Sequence, residues 1–108
     1  MTATTLSEQD ATHLLARYPE LPADYVSHLV HHGWGDTPGG RMLYSGPVAP
    51  EDIYGAPVGP PGLLVLGDDR AGYCFAYDPV SGTYGELDPE GRWSPASSGA
   101  GFGTFVET

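Results

Sequence analysis

Two neighbouring runs limit this chain more than anything else in it. Leu63-Leu64-Val65-Leu66 is continuously apolar, while Tyr73-Cys74-Phe75-Ala76-Tyr77 alternates with a period of two. A short apolar run bounded by turn formers fits a core strand. Alternation puts Tyr73, Phe75 and Tyr77 on one face and Cys74 and Ala76 on the other. An acidic turn, Gly67-Asp68-Asp69, joins the two runs, and Asp78-Pro79-Val80-Ser81-Gly82 follows. In that second loop Pro79 presets a turn dihedral and Gly82 supplies a left-handed position, so residues 83–88 return antiparallel. The centre of the chain is therefore a small antiparallel meander.

Helices precede it. Ser7 is placed to cap a first helix, with Glu8 and Asp10 at its positive end, an apolar stripe through Leu14 and Leu15 to Tyr18, and Pro19 as its stop. Pro22 opens a second helix, because its missing amide hydrogen would have had no helical acceptor. Leu21, Tyr25 and Leu29 form that helix's apolar row, and Gly33 is its natural cap. Residues 41–45 read as a short strand. The proline- and glycine-rich stretch 47–61 reads as an ordered loop with room for one helical turn around Asp52-Ile53-Tyr54. Pro89-Glu90-Gly91 is a further turn beside an edge strand at Trp93, and residues 94–101 are loop by composition. Phe102, Phe105 and Val106 fit a closing helical turn docked on the sheet. The expectation is one α+β domain over residues 6–108 behind a flexible lead-in, residues 1–5.

Charge narrows the partners. The 108 residues carry 14 acidic and 4 basic side chains, a formal charge of -10. Phosphate backbones and anionic membrane surfaces repel such a chain, so nucleic acid and membrane are disfavoured as partners. A basic protein suits it, since complementary potentials speed encounter and reject wrong partners. With no apolar run long enough to span a bilayer and no basic-then-apolar leader, a cytoplasmic location is expected. Cys74 is the single cysteine, so no intrachain disulfide is possible, and its place in the alternating strand suits a buried inert thiol.

The order of these features resembles the SUKH (SMI1/KNR4) family. The residues that carry the likeness are Leu21-Pro22-Ala23-Asp24-Tyr25, His32-Gly33-Trp34-Gly35, Leu66-Gly67-Asp68-Asp69, Gly72-Tyr73-Cys74-Phe75-Ala76-Tyr77-Asp78 and the closing Phe102 and Phe105. His32 stands where members carry Asn, and the loop between motifs is compact. The resemblance implies two N-terminal helices packed on a small twisted antiparallel sheet with a short C-terminal helical turn. It also implies, for bacterial members, an immunity protein that binds and neutralises a cognate toxin, commonly a nuclease or deaminase.

The residues themselves offer no set suited to chemistry. Asp24, His28, His31 and His32 share or adjoin a helical face, at a spacing that can hold zinc. Leu29 follows His28 where a zinc protease would carry its Glu base, so a metal-dependent enzyme is the weakest alternative and solvated histidines at a helix end the better reading. Asp68 and Asp69, with Glu51 and Asp52 nearest in kind, could act as acid and base or ligate a hard cation. Turn-capping aspartates account for them more simply. Gly99-Ala100-Gly101-Phe102-Gly103 lacks the strand, Lys and long helix of a phosphate cradle, and no Ser stands in Gly-x-Ser-x-Gly. No catalytic residue, cofactor or metal is expected.

What remains is a binding surface. Trp34, Tyr44, Tyr54 and Trp93 are candidate anchors, since large aromatics dominate binding hot spots; each could equally plug the core. Asp36, Glu51, Asp52, Asp68 and Asp69 are the loop carboxylates expected to surround one of them. The favoured expectation is an immunity protein with a basic toxin partner. A structural or regulatory interaction module without a toxin is the alternative, and the edge strand at Trp93 would support a weak homodimer.

Overall fold

The computed structural model describes residues 5–36 and 41–95. Two helices, α1 (Glu8–Arg17) and α2 (Ala23–His31), precede an antiparallel sheet in which every strand pairs with its neighbour in sequence. Its strands are β1 (Gly35–Asp36), β2 (Met42–Val48), β3 (Leu64–Asp68), β4 (Cys74–Asp78), β5 (Thr83–Leu87) and β6 (Trp93–Pro95). One short helix, α3 (Glu51–Tyr54), interrupts the long connection between β2 and β3. The fold is α+β.

The helix signals act as read. The Ser7 hydroxyl accepts from the Asp10 amide at 3.1 Å, meeting one of the orphan donors of the first turn of α1. Pro22 stands just before α2, and Gly33 follows it at a φ of 83°, a left-handed position that costs glycine little. Ala11 of α1 and Tyr25, Val26 and Leu29 of α2 pack with Leu43, Leu64, Leu66, Phe75 and Tyr84 of the sheet. Tyr84 also donates to Asp24 at 2.7 Å, fastening β5 to the first turn of α2. Removal of this much apolar surface from water is the main favourable term in the fold.

The second face of the sheet carries its own cluster: Leu63, Val65, Cys74, Ala76 and Leu87, with Tyr44, Tyr54, Val58 and Trp93 packed against it. Tyr54 and Val58 come from the β2–β3 connection. The connection over residues 49–63 thus covers this face, and the apolar run of β3 is buried on both sides, as its continuity requires.

Three assignments are corrected. The strand predicted at residues 41–45 continues to Val48 through Pro47. Its pairing with β3 shifts register between Leu43 and Val48, and such an irregular stretch tolerates a residue without an amide hydrogen. Ser94 and Pro95, read as loop, belong to edge strand β6, another place where proline is admissible. Gly35 and Asp36 form a two-residue strand against Met42 and Leu43, too short to leave a periodic signature. The predicted closing turn at Phe102, Phe105 and Val106 lies outside the described residues, as do the Gly99–Gly103 run and most of the lead-in.

Two glycines hold the sheet close. A side-chain carbon at Gly67 would collide with the Phe75 ring and the Met42 carbonyl, and one at Gly85 with the Trp93 ring and the Ser94 carbonyl. Each glycine lets an aromatic ring lie against strand backbone.

Candidate functional site

The strand ends sort the loops into two groups. Met42 pairs with Asp68, and Asp68 with Cys74, so the β3–β4 turn, the start of β2 and the β5–β6 turn share one end of the sheet. The end of β2 and the start of β3 lie at the other.

At the Asp68 end a cleft of about 460 Å³ opens on the face covered by residues 49–63. Tyr44, Ile53, Tyr54, Asp68, Arg70 and Cys74 line it. Tyr44 donates to the Asp68 carboxylate at 2.7 Å, and Tyr54 donates to the Asp88 carbonyl at 3.0 Å. Both phenols are pushed well above the ordinary tyrosine range, chiefly by burial. The carboxylate of Asp68 adds to this for Tyr44, and the neighbouring Cys74 for Tyr54. Burial likewise raises the Cys74 thiol, a shift that disfavours the nucleophilic thiolate.

The aspartates here hold the turn together. Asp68 accepts from the Arg70 amide at 3.0 Å; Asp69 accepts from Ala71 at 2.8 Å and from Tyr73 at 3.1 Å. Those bonds support Arg70 at a φ of 66°, a left-handed conformation that side-chain-bearing residues rarely adopt. Asp88 does the same one turn further on, accepting from the Glu90 and Arg92 amides, both at 2.9 Å. Turn-capping, the reading already favoured for Asp68 and Asp69, describes the geometry of all three.

The predicted residues do not converge on one aromatic. Tyr44, Tyr54 and Asp68 meet at the cleft, with Asp69 beside it. Trp93 packs its ring on the same face of the sheet, but over Gly85 in β5. Trp34 packs against the helix-side cluster, on the opposite face. Asp36 lies in β1, opposite Met42 of β2. Glu51 and Asp52 are exposed on α3. Sequence reasoning missed three exposed apolar side chains at this end, Met42, Ile53 and Tyr73. None of the three had left a sequence signal; Tyr73, which alternates with Phe75 and Tyr77, stands one residue before β4 begins at Cys74.

The histidines give little to chemistry. The His28 and His32 rings lie 4.9 Å apart and tilted, and Asp24 holds Tyr84. Among the described residues no three His, Cys, Asp or Glu side chains come together as metal ligands. No helix among them is long and apolar enough to cross a membrane.

A second hollow, of about 500 Å³, lies at the Val48 end. The turn between α1 and α2 contributes Tyr18 and Glu20, and the β2–β3 connection contributes Glu51 and a wall rich in proline. Its α3 residue, Glu51, stands one helical turn from Ile53 and Tyr54 of the cleft, so α3 borders both hollows.

No protein-family model, characterised protein or solved structure matches this chain.

Proposed function

We propose that this chain is a non-enzymatic immunity protein of SUKH type, which binds a basic toxin domain and neutralises it by covering its surface. The observation that carries the proposal is the Asp68 end of the sheet. Met42, Ile53 and Tyr73 are each about two-fifths exposed there, and Ile53 lines a cleft walled by two tyrosines and an acidic turn. Apolar and aromatic side chains ringed by polar groups are the anatomy of a protein interface. A formal charge of -10 suits it to a cationic partner. The order of two helices before an antiparallel meander agrees with the family resemblance read from the sequence. A cytoplasmic location belongs to the same proposal.

Affinity capture of the tagged chain from its native cells tests it, with identification by mass and co-expression of any captured domain. The expected result is a stoichiometric basic partner whose expression arrests growth and whose toxicity this chain relieves. Ile53→Lys with Tyr73→Lys should weaken that complex at least tenfold, while leaving the sheet intact, because both side chains are exposed. A captured partner that is harmless, or toxicity unrelieved by this chain, would sink the immunity reading and leave an interaction module without a toxin.

A further inference from the structure

We infer that the proline-walled groove at the Val48 end receives a basic side chain, Arg or Lys, carried between apolar residues on a segment of the protein partner; the inference rests on the partner-binding reading above. Three observations converge on it. First, the groove has a definite shape: its volume of about 500 Å³ falls within the range of roughly 300–1,000 Å³ of sites that hold ligands. Second, its lining is largely apolar: the buried Leu63 and Leu64 and half-buried Val48, with Pro47, Pro50, Pro57, Pro60 and Pro61. Proline rings have few conformations to lose, so such a wall orders little on binding.

The third observation is electrostatic. Glu20 and Glu51 are the charged residues of the lining, and both are exposed carboxylates. Among the described residues neither has a hydrogen-bond or ion-pair partner for its side chain. The contrast with Asp68, Asp69, Asp78 and Asp88 is direct, since those four already accept from turn amides or hydroxyls. Arg17 lies over the Tyr18 ring, 5.5 Å from its centroid, and is not part of the lining. An apolar lining with two exposed, unpaired carboxylates complements a long aliphatic stem ending in a cation. The C-terminal residues 96–108 of the chain itself include Glu107 and no Lys or Arg, so charge does not favour them as the occupant.

The test needs no toxin. The full chain, labelled with nitrogen-15, is titrated with the blocked peptide acetyl-Leu-Arg-Leu-amide and, separately, with the same peptide carrying neutral citrulline in place of arginine. The expected result is saturable shifts of the Tyr18, Glu20, Val48, Glu51, Gly59 and Gly62 amides, with Kd on the order of 1 mM. Citrulline should bind more weakly, and the exposed double variant Glu20→Gln/Glu51→Gln should weaken the arginine peptide about tenfold at low salt. Equal binding of both peptides, shifts confined to the Asp68 end, or no shift at about 20 mM peptide would each overturn the inference. Movement of the same amides with protein concentration alone would assign the groove to a second copy and overturn it too. Failure of the immunity reading shows itself elsewhere, as a captured partner without toxicity. A toxin bound equally well by the double variant would retain that reading and remove the groove from it.

Discussion

The aspartates at the Asp68 end of the sheet and the glutamates of the groove at the Val48 end do opposite things. At the Asp68 end Asp68, Asp69 and Asp88 each accept backbone amides from their own turns, and Asp68 also accepts from Tyr44. At the Val48 end Glu20 and Glu51 line a largely apolar groove. An Asp carboxylate, one methylene from its own backbone, finds a local donor and closes a turn; a Glu on a helix or after a proline reaches outward and finds water. The sign of the charge is the same in both groups. Their availability to a partner is not, so a formal charge of -10 says less about where a partner binds than about which carboxylates the fold leaves uncommitted.

The platform under the Asp68 end should give the largest effect. Phe75 is 2% exposed and its ring lies against Gly67, between the acidic turn and the helices. Phe75→Ala should cost about 3–5 kcal/mol in urea unfolding. A loss under about 1 kcal/mol would mean that this end is not built on the core, and the comparison would fail. Next is the turn itself. Asp69→Ala removes the acceptor of two amides and should cost about 1–2 kcal/mol, with Asp69→Asn recovering part of it. If Asp69→Ala is neutral, the aspartates of the turn are as free as Glu20.

Alkaline pH separates the ends in another way. Tyr44, Tyr54 and Tyr84 are all raised above the ordinary tyrosine value of 10.0, first by burial and then by neighbouring groups; for Tyr84 the main neighbour is Asp24. The unfolded chain therefore loses these phenolic protons before the folded one does. Stability is complete below pH 10 and declines as the pH rises above it. Tyr44→Phe/Tyr54→Phe should flatten the decline measured between pH 9 and pH 11, values that bracket the unfolded titration. The two tyrosines belong to the Asp68 end, and the variant Glu20→Gln should leave the decline unchanged.

Much of this molecule is legible in its residues. Ser7, Pro22 and Gly33 mark helix ends because capping is local chemistry, and the alternation through Phe75 marks β4 because the sheet buries one side of each residue pair. The aspartate turns are legible for the same reason, since donor and acceptor lie within five residues. Trp34 and Trp93 were ambiguous because their surroundings come from elsewhere: the helix-side cluster in one case and Gly85 in the other. The proline-walled groove left no sequence signal at all. Glu20 and Glu51 are 31 positions apart in the chain, and only the packing of the α1–α2 turn beside the β2–β3 connection brings them into one groove.

The smallest effect is the most discriminating. Glu20→Gln/Glu51→Gln removes two negative charges that hold nothing in the fold, so unfolding free energy should move by less than about 0.5 kcal/mol. The same variant should slow association with a cationic partner, and the deficit should shrink as salt rises toward 0.5 M, where screening shortens the range of exposed charges. Stability and association then respond in opposite patterns at the two ends: Asp69→Ala changes the first strongly, and the glutamate pair changes only the second. A glutamate variant that unfolds more easily would show that these carboxylates have a structural role after all. One that associates normally would return the basic partner to the Asp68 end, where its contacts would have to be made by Met42, Ile53 and Tyr73 and not by carboxylates already engaged in turns.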